Sequence, residues 1–276
     1  MSEDPGEQVR SRVAEWWTTA IIDIEPGRIG LRGRPIQELI GAATFTDTIW
    51  LMLRGELPSA AHRSLLDAAL TASVDHGPHA PSIAIARMAV TCGVDLNSAM
   101  ASAIGVLGDV HGGAGQHCME LLERVRVQRA AGASPATAVD EVLESFVAEH
   151  GKFIPGFGHR FHPVDPRCEP LLGLVERAAA EGGVSGEFAA IGRAVAAGLE
   201  RRTGKRIPMN IDGATAVIFC ELGFPPPLGR GLFILSRSVG ILAHAWEQTE
   251  QGGRNKGPIP REMPYRYSGL PTRSRG

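Results

Sequence analysis

Three short segments of this 276-residue chain hold the residue types that acid–base chemistry at a carbonyl requires. The run PGFGHRFHPVDPR, residues 155–167, sets His159, Arg160, His162, Asp165 and Arg167 in a loop whose glycines and prolines fix backbone conformations that other side chains resist. In GDVHGGAG, residues 108–115, His111 precedes paired glycines able to expose backbone N–H groups where the positive end of the next helix emerges. MNIDGAT, residues 209–215, carries Asp212 at the head of an apolar helix. Its spacing fits a helix N-cap as well as a general base whose pKa is set by partial burial. Taken singly, each histidine fits a hydrogen-bonded turn. Taken together, two histidines and a carboxylate, each at a helix boundary, supply a base and two donors.

Other residues bear on what such a site would hold. Arg237 interrupts the apolar stretch LFILSRSVGILAH, where a charge needs a partner or a ligand to offset its desolvation. The basic run RRTGKR, residues 201–206, reads first as a solvated helix end and second as a phosphate contact. His159 and His162 stand at an HxxH spacing with Asp165 and Cys168 nearby. Pro155, Gly156, Gly158 and Pro163 forbid the regular helix that aligns such a zinc pair, so no metal site is expected.

The elements that must position these groups read almost entirely at the helical period, with one plausible strand pair near 21–31. The clearest helix has Ser134 as N-cap, Pro135 at its first position, an apolar face of Val139, Val142, Leu143, Phe146 and Val147, and a stop before Gly151. Similar patterns cover 59–73, 81–91, 96–107, 116–129, 169–181, 186–202, 213–222 and 228–250. The chemistry-bearing segments fall between these helices. The Gly/Pro-rich basic tail, 251–276, is expected to wrap over a surface rather than fold alone. A 43% hydrophobic composition supports a substantial core, and a net charge of −2 gives no reason to expect nucleic acid or an anionic membrane as partner. Cys92, Cys118, Cys168 and Cys220 are scattered without a CxxC pair, and no leader-like apolar segment is evident, which points to a cytoplasmic protein.

With His111 in an HGG segment, His159 in a PGxGH segment followed by DPR, and Asp212 in an NxD segment, in that order, the chain resembles the citrate synthase superfamily. The resemblance extends over IEPGRIGLRGRPIQELIGAATFTDTIWLMLRGELPS, residues 24–59, with its helix ending in GELP, and over LGFPPPLGRGLFILSRSVGILAHAWEQ, residues 222–248. It implies an all-α fold: a large helical domain, 1–111 and 223–276, with a smaller mobile helical domain, 112–222, assembled as a homodimer. In that superfamily an acyl-CoA is enolised and joined to a 2-oxo dicarboxylate such as oxaloacetate, or the reverse cleavage is run. Asp212 would then remove the alpha proton, His111 would donate to the thioester oxygen, and His159 would polarise the ketone and protonate the alkoxide. Arg167, Arg237 and Arg261 would clamp substrate carboxylates, Arg261 reaching the partner's site from the tail. Coenzyme A would enter as part of the substrate, with no tightly bound cofactor, and Arg160, Lys205 and Arg206 would meet its phosphates.

Within the superfamily, VDHGPHAPS at 74–82 looks more like citryl-CoA lyase and the C-terminal lyase module of ATP-citrate lyase, with His76 as a substrate contact. The GD before the His111 loop and the segment GRNKGPIPREMPYRYSG agree with this, whereas His111 itself is synthase-like. The resemblance therefore implies cleavage of citryl-CoA to acetyl-CoA and oxaloacetate. Citrate or 2-methylcitrate synthesis is the alternative, and a non-catalytic paralogue binding CoA or a dicarboxylate is the reading from another class.

Overall fold

The computed structural model describes residues 5–158, 163–260 and 262–270. Helix α1 (Pro5–Trp16) leads into an antiparallel sheet, β1 (Ile22–Glu25), β2 (Arg28–Leu31) and β3 (Arg34–Pro35), in that spatial order, with Ile24 opposite Ile29. There follow α2 (Ile36–Leu39), α3 (Phe45–Arg54), α4 (Ala60–Ser73), α5 (Pro81–Thr91) and α6 (Leu96–Gly105). The rest is α7 (Ala114–Ala130), α8 (Pro135–His150), α9 (Cys168–Ala180), α10 (Glu187–Thr203), α11 (Ile211–Glu221) and α12 (Pro226–Gln251). Apart from the small exposed sheet, the fold is all-α.

Local sequence explains where the helices start and stop. Ser134 accepts from the Thr137 amide at the head of α8, and Gly151 ends that helix at φ 88°, a backbone state open to glycine. Thr44 and Asp47 form a reciprocal capping box on α3, whose terminal Gly55 is left-handed.

Packing divides the buried side chains into two clusters. The first joins α3, α4 and α7 to α11 with the start of α12, around Leu65, Leu66, Leu122, Leu143, Ile218 and Leu232. Each such side chain, fully buried, contributes roughly 1.5–3 kcal/mol. It draws on residues from both sides of positions 112 and 222. The second is smaller and aliphatic: Ile83 and Ala86 of α5, Ala99 and Ala103 of α6, and Ile241 and Ala245 of α12. The 26-residue α12 therefore runs through both clusters and is the common frame of the molecule. After it the chain lies against the end of α5, where the Asn255 amide donates to Thr91 O at 2.9 Å and the Lys256 amide to Thr91 Oγ1 at 3.0 Å. No helix among the described residues is long and apolar enough to cross a membrane.

Candidate active site

Two of the three chemistry-bearing segments are bound side by side. The Asn210 amide donates to Gly156 O at 2.9 Å, the Gly158 amide to Pro208 O at 2.8 Å, and Asn210 Nδ2 to Gly158 O at 2.6 Å. Gly156 has φ +82°, and a Cβ there would run into Cys118 Sγ and the Gly213 backbone, so only glycine allows this approach. Asp165 locks the other end of the loop. Its buried carboxylate accepts from Arg167 Nε at 2.9 Å, Arg167 Nη2 at 2.8 Å, the Arg167 amide at 3.1 Å and the Ile211 amide at 3.0 Å. Burial pulls its pKa up, but the Arg167 side chain and these amides overcome that and hold it at about 2.

Asp212 is not the N-cap of α11, although its position at the head of an apolar helix fitted one. Asn210 caps that helix, its Oδ1 accepting from the Asp212 amide at 3.0 Å and the Gly213 amide at 3.3 Å. An Asn two residues upstream takes the role by the same side-chain geometry. Asp212 sits half-buried in the first turn, where the helix dipole favours a carboxylate.

His111 meets a different helix end. Its Nε2 lies 3.1 Å from the Ser82 amide and 3.0 Å from Ser82 Oγ, at the start of α5. An amide can only donate, so Nε2 accepts and the proton of the neutral ring sits on Nδ1. Burial lowers the His111 pKa and the positive charge of Arg237 adds to the effect, so the ring is a neutral Nδ1–H donor. This contact links residues 29 positions apart. No local spacing announces it.

Arg237, buried within α12, donates from Nε to Ser73 O at 3.1 Å and lies over the Phe233 ring at 4.9 Å. Burial lowers its pKa, while the charges of Asp212 and Asp75 act to keep it cationic and Arg167 opposes them. The same guanidinium thus interacts electrostatically with His111, Asp212 and Arg167. His76 lies exposed beside Asp75, in the segment leading from α4 to α5. Lys205 and Arg206 are exposed in the turn after α10, and Arg201 pairs with Asp140. His159, Arg160 and Arg261 lie outside the described residues.

Among the described residues no cluster of histidine, cysteine and carboxylate side chains is arranged to hold a metal. Cys168 donates to Met209 O at 3.2 Å, and burial first of all pushes its thiol up to about 12, so it serves as a neutral packing group. Sequence reasoning passed over Asn210 as a cap and Ser82 as the partner of His111. The first had a signal in Asn preceding an apolar helix, the second had none.

Residues 59–261 match the family model of the citrate synthase C-terminal domain. The chain is 33% identical over 220 residues to citrate synthase of Haloferax volcanii, an alignment covering 78% of this chain and 53% of that protein. The chain thus spans about half the length of the curated relatives it matches. The structure of citryl-CoA lyase from Hydrogenobacter thermophilus superposes with a TM-score of 0.81 at 30% identity, covering 94% of this chain and 96% of that one. ATP citrate lyase of Methanothrix soehngenii matches with a TM-score of 0.76 over 98% of this chain and 45% of that one, and at 20% identity this likeness concerns the fold alone. With its mostly helical architecture and the family match over most of its length, the chain belongs to the citrate synthase family.

Proposed function

We propose that this chain cleaves citryl-CoA to acetyl-CoA and oxaloacetate, through the enol of the acyl-CoA. The observation that carries this reading is the fold match over nearly the whole length of a citryl-CoA lyase chain, at 30% identity. In the cleavage direction His159 takes the proton of the citryl hydroxyl as the carbon–carbon bond breaks and the ketone of oxaloacetate forms. The electron pair moves onto the acyl thioester, where the Nδ1–H of His111 meets the charge developing on oxygen. Asp212, protonated before the step, then delivers its proton to the enol carbon and is left ionised. The neutral state of His111 fits this role, since a neutral imidazole can polarise the thioester carbonyl through its Nδ1–H.

Arg237 and Arg167 would hold the substrate carboxylates, joined by Arg261 and by His76, and Arg160, Lys205 and Arg206 would meet the phosphates of CoA. Movement of 112–222 as the smaller domain would close the site around substrate and expel water. A second copy would cover the exposed stripe of α12 formed by Leu235, Val239, Leu242 and Trp246, which recur at helical spacing on one face.

Citrate or 2-methylcitrate synthesis is the second reading, favoured by the synthase relatives, among them 2-methylcitrate synthase of Shewanella oneidensis at 30% identity over 199 residues. A synthase must also hydrolyse the thioester. The experiment that separates them incubates the protein with citryl-CoA in one vessel and with acetyl-CoA plus oxaloacetate in another, following acetyl-CoA, free CoA and citrate. The proposal expects acetyl-CoA from the first. Free CoA with citrate from both would establish the synthase, and no product from either would leave a binding paralogue.

A further inference from the structure

The segment that carries His76 is laid along one face of α12, and three residues of that helix hold it. Arg237 Nε donates to Ser73 O at 3.1 Å, Gly240 presses against Val74 O and Asp75 where no side chain would fit, and His244 Nε2 lies 3.3 Å from Asp75 Oδ1. Spacings of three and four place these positions on a common face. Asp75 in turn folds the segment, its Oδ2 accepting from the Gly77 amide at 3.1 Å in an Asx turn that closes around His76.

On the far side of the imidazole, Arg87 of α5 brings Nη1 to 3.2 Å from His244 Nδ1 while also contacting Glu247 and Gln251. A guanidinium only donates, so Nδ1 accepts and the ring proton sits on Nε2, facing Asp75. Burial would raise the pKa of Asp75, but the His244 side chain and the Gly77 amide hold it below the ordinary carboxylate range. The anchored imidazole therefore faces Asp75 Oδ1 at 3.3 Å, an approach outside hydrogen-bond geometry that leaves this oxygen otherwise unpartnered, and Asp75 Oδ2 holds the turn.

We infer that His244 is a positioning residue which, through Asp75, fixes the turn that presents His76 to the dicarboxylate end of the substrate. This rests on the substrate role proposed above for His76. His244 itself touches no reacting atom.

The test measures backbone hydrogen exchange and steady-state kinetics on the full-length wild type, His244→Ala, His244→Gln and Asp75→Asn. In His244→Ala, amide exchange over 74–80 rises about tenfold with α8 unchanged, and KM for citryl-CoA rises about tenfold with kcat within about threefold. His244→Gln, which keeps an N–H toward Asp75, recovers both to within about threefold of wild type. Asp75→Asn reproduces the alanine variant, and the double variant is no worse than either. Unchanged exchange at 74–80, a glutamine variant no better than alanine, or a loss confined to kcat would each overturn the inference. If His244→Ala fails to fold, the comparison of Asp75→Asn with His244→Gln decides it. A wild type that fails to cleave citryl-CoA would defeat the proposed function instead, while the exchange data would still decide whether His244 holds the turn.

Discussion

Two arginines expected to grip the same substrate sit in opposite surroundings. Arg167 has closed its fork on the buried carboxylate of Asp165, which also accepts from the Ile211 amide, so its charge is matched before any ligand arrives. Arg237 is more deeply buried, yet its only side-chain hydrogen bond among the described residues goes to the carbonyl of Ser73, and Asp212 and Asp75 act on it through space. Arg167 thus ties down the loop that follows His159, in addition to the substrate contact proposed for it. The other holds a buried positive charge that Asp212 and Asp75 offset through space. A residue type inferred from a motif therefore does not fix its role. The partner already seated beside it does.

Substitutions should separate the two sides of this contrast. The largest effect is expected at the acid–base residue beside Arg237: Asp212→Asn should lower kcat about a thousandfold while the melting curve stays in place. Arg237→Met should lower kcat/KM about a hundredfold with thermal stability unchanged or improved, because a buried charge is exchanged for an apolar side chain of similar length. A destabilised but active Arg237→Met protein would erase the contrast.

On the other side, Asp165→Asn should cost about 3 kcal/mol in denaturant unfolding, since it leaves Arg167 without its buried counter-charge. Replacing both partners with apolar residues should recover much of that loss. Because the Asp165 pKa is depressed to about 2 from an ordinary 3.8, its ionisation stabilises the fold above pH 3.8. That contribution, about 2 kcal/mol, should fade as the pH falls from there toward the folded value. Unfolding measured across that acid range checks the sign.

The smallest effect belongs to His111. With its pKa lowered from 6.5, the acid limb that His111 contributes to the profile of kcat/KM should lie below that value. Ser82→Ala, which keeps the backbone donor and removes only the hydroxyl, should reduce kcat/KM no more than about threefold.

Much of this was legible in the chain itself. Ser134, Pro135 and Gly151 fixed the ends of α8 because caps act within one turn, and the strand pair near 21–31 followed from alternation and turn residues. Helix α1 carried no such signal, since its apolar Val9, Val13 and Trp16 are exposed rather than set in a buried stripe. The assignment of Asp212 turned on whether a neighbour would cap α11, and Asn210 does. What the sequence could not supply were contacts between distant segments. The Ser82 amide on His111 and the Asp75–His244 contact arise only when α5 and α12 pack beside those loops. Charge compensation is likewise a tertiary property. Arg237 stands out in the chain because it interrupts an apolar stretch, whereas the closing of Arg167 on Asp165 shows only in the fold.

The most direct test of the central claim is cleavage of citryl-CoA in deuterated water, with the products followed by mass spectrometry. The account predicts acetyl-CoA carrying one solvent-derived deuterium in its methyl group, formed together with oxaloacetate and absent with Asp212→Asn. Free CoA with citrate as the products, or acetyl-CoA without deuterium, would contradict it.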